Sequence, residues 1–388
     1  MVSRRDQDRP RLFQFLLFQR FSMLAFTSAV EALRTANRLS DRPLYRWDIL
    51  TTTGTAAAAS NGVHVLPDAT MGSEDPGAAA VIVCAGMGME GYRDPAVTVW
   101  LRRHARRGAH LGGLCTGALA LAAAGLLDGY RCTIHWENVE GFAEEFPRLD
   151  ITATLYEIDR DRFTCAGGTA ALDMMIALIH ADHGHGLAMK VAEALIHTVV
   201  RRPEDPQRMA LRQRVGVSDP KVLAAIALME AQLETPLPVE SLAADIGVSH
   251  RQLERLFSKH IGVSPSRYYQ RLRLQRARAL LAQTSLTVLQ VAVACGFSSA
   301  SHFTKCYRQE FGQPPRRWRL APHLVKPGPG MPDWPAAPLP PDGAESPLAV
   351  ELDVLDSLDP EGEAAHGDAL GPDDTDPTDG DAPPPLPS

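Results

Sequence analysis

The sequence predicts an α/β domain built on a parallel sheet, then an all-α domain with two helix-turn-helix units, then a disordered acidic tail. Three observations predict it. Through the first 200 residues, short continuous apolar runs alternate with helical periodicity, the pattern of strands covered on both faces. From Lys221 to about Leu320 strand signals nearly vanish, and two stretches there resemble each other. Beyond Leu324, 15 of the chain's 30 prolines mingle with fifteen carboxylates and one base, Lys326. Such a composition cannot offset chain entropy by burial.

Charge divides the chain in the same way. The net −7 conceals −14 over residues 325–388 and +8 over residues 220–324, with the first 219 residues close to neutral. A neutral domain, a basic domain and an acidic tail are three physical objects, and the basic one points to a polyanion. Apolar residues make up 45% of the chain, enough for sizeable cores. Six scattered cysteines without a CxxC pair suit a reducing compartment. The longest apolar run, Ala118 to Leu127, is far short of the roughly 20 residues of a membrane span. The start MVSRRDQDRP has no apolar signal-type run after its charges. The expected place is the cytoplasm, with no membrane partner.

In order along the chain, strands are expected at LFQFLLF (12–18), YRWDILTT (45–52), AAVIVCAG (79–86) and HLGGLC (110–115). Helices are expected over 22–39, 94–107 and 116–127. YRCTIH (130–135), a helix over 136–146, and the strands ITATLYEID and DRFTCAG continue the alternation. Helices then run from about Thr169 to Val200, closing an α/β domain over 10–200. Residues 201–220, RRPEDPQRMALRQRVGVSDP, are charged and broken by three prolines, which reads as a linker. A helical domain is expected over 221–322, and the tail over 325–388, where LAVELDVLDSLD is the one amphipathic stretch.

The two similar stretches are LAADIGVSHRQLERLFSKHIG (242–262) and VAVACGFSSASHFTKCYRQEFG (291–312). Gly247 and Gly296 lie 49 apart; Leu253, Phe257 and Gly262 match Phe303, Tyr307 and Gly312, 50 apart. Each unit reads as a short helix, a glycine turn, a serine N-cap and an amphipathic second helix. That is a helix-turn-helix, whose second helix can enter a major groove. The apolar positions belong to the core. The faces left outward carry Arg251, Gln252 and Arg255 in the first unit, and Ser301, Thr304, Lys305 and Arg308 in the second. Arginine pairs bidentately with guanine, and hydroxyls accept several base edges. Between them RYYQRLRLQRARALL (267–281) is a basic helix that holds the readers apart. The partner these residues point to is double-stranded DNA.

In the neutral domain, HLGGLCTGALALAAAGLLDG places Cys115 at a sharp strand-to-helix turn. A helix N-terminus lowers a thiol's pKa, so Cys115 is a candidate thiolate. The N–H of Thr116 and one near Gly86 would form an anion cradle. His135 is expected at the end of the next strand. Trp136 and Phe21 offer faces to a cation. His180, His183 and His185 read as polar capping of a helix end rather than a metal site, and Asp173 as the centre of a local hydrogen-bond network. No metal or cofactor is expected.

Residues 221–320 resemble the DNA-binding domain of the AraC/XylS transcription factors, with the ending GFSSASHFTKCYRQEFGQPPRRWR similar to that family's signature. The resemblance implies base readers at Arg251, Arg255, Ser301 and Lys305, with Thr304 beside them, on helices in successive major grooves. GLCTG (113–117), CAGMG (84–88) and TIHWE (133–137) resemble the PfpI-like branch of the class I glutamine amidotransferase superfamily. The pairing of the two looks like the GlxA family of regulators over residues 10–320. RFSMLAFTSAVEALRTANRLS and DGYRCTIHWENVEGFAEEFPRL look closest to the members that control choline, glycine betaine, carnitine or arginine catabolism. Where hydratase-type relatives carry a catalytic aspartate, this chain has Ala25; Glu31 matches a different position. The resemblance thus implies a non-enzymatic sensor domain with a small nitrogenous effector at Cys115, Thr116, His135, Trp136, Gly86 and Phe21. It also implies a homodimer and an activator that works with RNA polymerase. The competing reading is a cysteine hydrolase or hydratase fused to a DNA-binding module, and a weaker one is a redox sensor acting through Cys115.

Overall fold

The computed structural model describes residues 9–89 and 91–320. The expectations for the tail 325–388 and for 321–322 fall outside the described residues.

β1 (Arg11–Leu17) leads into α1 (Met23–Leu39), then β2 (Tyr45–Thr51) and three two-residue strands. These are β3 (Ala57–Ala58), β4 (His64–Val65) and β5 (Ala69–Thr70). The alternation resumes with β6 (Ala80–Cys84), α2 (Pro95–Arg106), β7 (His110–Leu114) and α3 (Gly117–Ala123). Next come β8 (Arg131–Cys132), a 3-10 turn Trp136–Asn138, α4 (Val139–Glu145) and β9 (Asp150–Ile151). β10 (Tyr156–Asp159), β11 (Arg162–Cys165), α5 (Ala170–His183) and α6 (His185–Ala194) complete the domain.

Seven strands form one sheet in the order β10-β11-β7-β6-β1-β2-β5. All neighbours are parallel except β10, which pairs antiparallel with β11 at one edge. The hairpin Asp159–Arg162 forces that reversal, because a parallel pair needs a crossover a dozen or more residues long. Alternate side chains of β1 feed two cores. Phe13, Phe15 and Leu17 pack with α1, α5 and α6, whereas Leu16 joins Val81, Val83 and Leu111 beneath α2 and α3. Each fully buried Phe or Leu of this kind contributes about 1.5–3 kcal/mol. The expected strand 130–135 is corrected. Only Arg131 and Cys132 are extended, pairing with β9 in a separate two-stranded sheet, so His135 opens a 3-10 turn and does not end a main-sheet strand.

The helical domain contains α7 (Leu211–Val215), α8 (Pro220–Ala231), α9 (Val239–Asp245), α10 (His250–His260), α11 (Pro265–Gln283), α12 (Val288–Ala294), α13 (Ala300–Phe311) and α14 (Pro315–Leu320). α11 is its spine. Tyr268, Tyr269 and Leu272, on its first half, pack with Leu242, Leu253 and Phe257. Leu274, Ala277, Leu280 and Leu281, on its second half, pack with Val291, Phe303 and Tyr307. Each half of one helix thus anchors one unit.

The segment 201–220 departs from a plain spacer. Asp173 on α5 is fully buried and accepts from Arg201 N (2.9 Å), Nε (3.0 Å) and Nη2 (2.6 Å), and from His197 Nε2 (2.7 Å). Pro203 O accepts from Leu155 N at 2.8 Å. Gln207 Nε2 donates to Thr133 Oγ1, Ile134 O and Thr154 O. Val215 and Val217 already belong to the helical core. Three prolines and a run of charges hide this lacing, because each contact depends on a partner 28 to 74 residues away. Asp182 and His183 also find structural roles at the end of α5. Asp182 binds Arg11 and accepts from Tyr45 Oη, and His183 packs edge-on to Tyr45.

Candidate functional site

The two units repeat in detail what their sequences share. Gly247 and Gly296 both have φ of 69°, a left-handed turn that glycine adopts without Cβ strain. Ser249 Oγ accepts from Gln252 N at 3.2 Å and Ser299 Oγ from His302 N at 3.4 Å, satisfying orphan donors at the starts of α10 and α13. A cation steadies each turn from outside. Lys221 Nζ donates to Ile246 O, and Arg273 donates to Cys295 O and Gly296 O while lying 4.1 Å from the Phe297 ring centre.

Leu253 and Phe257, and then Phe303 and Tyr307, turn inward and are fully buried. Arg251, Gln252 and Arg255 are therefore left exposed on α10, and Ser301, Lys305 and Arg308 on α13, with Thr304 half-buried. Arg251, Arg255, Lys305 and Arg308 have no side-chain ion pair among the described residues. Four cations on the two second helices are thus exposed without an internal ion pair. Ser301, Thr304, Lys305 and Arg308 line one groove of about 970 Å³, together with Leu289 and Arg316. Arg316 was not singled out by sequence reasoning; it enters the groove only because α14 folds back beside α13.

The elbow is built from close approaches. Cys115 sits at φ 58°, a left-handed conformation that costs a non-glycine residue of order 1–3 kcal/mol. Its N–H donates to Cys165 O at 3.1 Å. Gly117 lets α3 start hard against β6: a Cβ there would lie 2.2 Å from Val83 O. Thr116 is buried and its Oγ1 donates to Gly86 O at 2.6 Å. Gly86 in turn packs on the backbone of Arg20 and Phe21.

Two expectations change here. Burial pushes the Cys115 thiol up to about 11, and the field of Glu137 adds to the rise; the Thr116 N–H that points at the sulfur opposes it without prevailing. The helix-end effect is weaker than desolvation, so the resting group is a thiol. The Phe21 ring is the second change. It is fully buried, edge-on to Phe26 at 5.6 Å, and offers no open face to a cation.

His135 is half-buried, and burial holds its pKa below the usual histidine range. Its Nδ1 accepts from Glu137 N at 3.4 Å. Trp136 is 40% exposed and already carries a cation, the Arg208 guanidinium 4.6 Å from its ring centre. Ala25 is fully buried, and Glu31 is held on the exposed side of α1 by Arg34 at 2.6 Å. Among the described residues no histidine or carboxylate hydrogen-bonds Cys115. At pH 8 about one Cys115 in a thousand is therefore ionised. Iodoacetamide labelling of Cys115, followed by mass spectrometry, should be slow at pH 7.5 and rise about tenfold per pH unit through pH 10. A rate already flat above pH 7 would show an activated thiolate instead.

An elbow-type parallel-sheet domain followed by two spaced reader helices defines a two-domain helix-turn-helix regulator. A helix-turn-helix domain model matches residues 242–321, and the DJ-1/PfpI family model matches residues 14–181. The chain is 45% identical over 347 residues to the HTH-type transcriptional regulator GbdR of Pseudomonas aeruginosa, covering 89% of this chain and 92% of that protein. It is 38% identical over 316 residues to the HTH-type transcriptional regulator GlxA of Rhizobium meliloti, covering 81% and 97%. The crystal structure of an AraC family transcriptional regulator from Pseudomonas putida matches 48% of this chain and all of that one, at 32% identity and a TM-score of 0.46. The chain belongs to the family of HTH-type transcriptional regulators that join a DJ-1/PfpI-like domain to an AraC-type reader.

Proposed function

We propose that this chain is a cytoplasmic, sequence-specific DNA-binding regulator of transcription whose DJ-1/PfpI-like domain responds to a small nitrogenous metabolite. The observation that carries the reading is the pair of exposed basic helices, α10 and α13, set on the two halves of α11. Base contacts fall to Arg251, Gln252 and Arg255 in one groove, and to Ser301, Thr304, Lys305 and Arg308 in the next. The chain acts as a homodimer and an activator that works with RNA polymerase; two reader modules raise affinity through effective concentration. The similarity to regulators such as GbdR and GlxA supports this reading.

The effector is a betaine, a carnitine derivative or a basic amino acid, held near Cys115, Thr116, Gly86, His135 and Trp136. The cation already resting on Trp136 supports a positively charged group there. A neutral thiol, a buried Ala25 and a His135 engaged with its own turn all favour sensing over turnover. The strained elbow itself favours the second reading, a cysteine hydrolase or hydratase.

A thermal-shift panel of betaines, carnitine derivatives and basic amino acids tests the sensor. A true effector at 100 times its dissociation constant adds about 2.7 kcal/mol of stability, and Trp136→Ala should abolish the gain. Turnover of an amide or nitrile that disappears in Cys115→Ala would replace sensing with catalysis.

A further inference from the structure

The sensor and the reader touch at a second place, away from the connecting segment. α4 lies against the C-terminal half of α11, the half that anchors the second unit. Glu140 Oε2 accepts from Arg276 Nε at 2.9 Å. One residue on, Gly141 meets the end of α11: a Cβ at Gly141 would stand 3.1 Å from Gln283 Cβ and 3.4 Å from Thr284 Cγ2. Arg276 is the enclosed partner, its side chain 18% exposed, while Glu140 stays half-open to solvent.

Arg208, in the connecting segment, rests on the same stretch of the sensor. Its guanidinium lies over Trp136, and burial together with the field of Arg214 holds its pKa below the usual arginine range against the fields of Glu230, Glu137 and Tyr268. Tyr268 belongs to the first half of α11. The sensor thus meets α11 through one short stretch, residues 136–141. Glu137, within that stretch, also adds its field at the Cys115 thiol.

The clasp is poised to open. Gln283 Oε1 is buried there with no hydrogen-bond partner in the structure, and a buried acceptor without a donor favours separation. A half-exposed ion pair holds weakly and weakens further with salt. A reader module fastened to its sensor can approach DNA only in the orientation the clasp permits. DNA affinity is then reduced by the fraction of chains in which the clasp is open.

We propose that the contact of Glu140 and Gly141 with Arg276 and Gln283 is an autoinhibitory clasp that restrains the reader domain in the effector-free chain. The proposal rests on the DNA-binding reading. Its test uses the full chain and the DNA upstream of its own gene, without effector.

Glu140→Arg should tighten binding about three- to tenfold, and the swap Glu140→Arg with Arg276→Glu should restore the wild-type value. Gly141→Leu, which removes no charge, should tighten binding to a similar degree by crowding Gln283. Limited proteolysis of residues 201–220 reads the clasp without DNA: both opening variants should be cut faster, and the swap at the wild-type rate. Unchanged cleavage in both variants overturns the clasp, as does unchanged or weaker DNA binding by folded variants. A wild-type chain with no preference for its own DNA would instead overturn the DNA-binding reading, while cleavage still decides the clasp.

Discussion

Asp173→Ala should lower the unfolding free energy of the chain by roughly 2–4 kcal/mol. Asp173 is a carboxylate with no exposure that receives three hydrogen bonds from Arg201 and one from His197. Removing it leaves a guanidinium, a backbone N–H and an imidazole without their acceptor, and the cost of breaking a buried pair comes from the partner left behind. Arg201 is one-third exposed, so water recovers part of the loss and the cost falls about 1 kcal/mol below the usual range of about 3–5 kcal/mol. Asp173→Asn keeps the shape and one acceptor oxygen, and should lose about half as much. Urea titration checks both. The same substitution frees the start of the connecting segment, so cleavage within 201–208 should accelerate under native conditions. A loss below about 1 kcal/mol with unchanged cleavage would show that the segment is held by other contacts.

Much of the fold was legible because burial on both faces of a sheet writes continuous apolar runs. The strands at 12–18, 45–52, 79–86 and 110–115 all form: the first is shifted back by one residue, and the other three are shortened by one to three. The short strands β3, β4 and β5 went unread. Two residues carry no period: β5 forms only where the loop after β2 returns along that strand at the sheet edge, and β3 pairs with β4 in a small sheet of their own. YRCTIH read as a strand for the opposite reason: its alternation is real, yet after Cys132 the chain turns away to place Trp136 and α4 beside the reader.

The reader domain was legible almost residue by residue. Its signals are local, a glycine turn and a serine cap at fixed offsets from apolar anchors, and local geometry satisfies them. The elbow was legible in shape and misread in charge. GLCTG announces the strained turn at Cys115, but the burial and charge that keep its sulfur protonated come with Gly167 packed on it and Glu137 nearby, 52 and 22 positions away. Arg208 and Gln207 escaped notice because polar residues between prolines look like a spacer. Only the folded chain shows them pressed onto the turn beside the candidate effector site.

Binding to DNA is the second large effect, and it decides the central claim. α10 and α13 present cations without internal partners, so Arg255 and Lys305 are free to meet base edges once the helices enter the grooves. Loss of one bidentate base contact costs about 1–3 kcal/mol, so Arg255→Ala and Lys305→Ala should each weaken specific binding about 5- to 150-fold. Each should disturb only its own half of the site, since the two reading centres lie about one helical turn, or 34 Å, apart. The deciding measurement is the affinity of the purified chain, at physiological salt, for DNA upstream of its own gene against scrambled DNA of equal length. The account predicts a preference of about a thousandfold or more, with a footprint of two major-groove tracts one turn apart, each lost separately in Arg255→Ala and Lys305→Ala. Equal affinity for both DNAs, with the two substitutions weakening both alike, would contradict it.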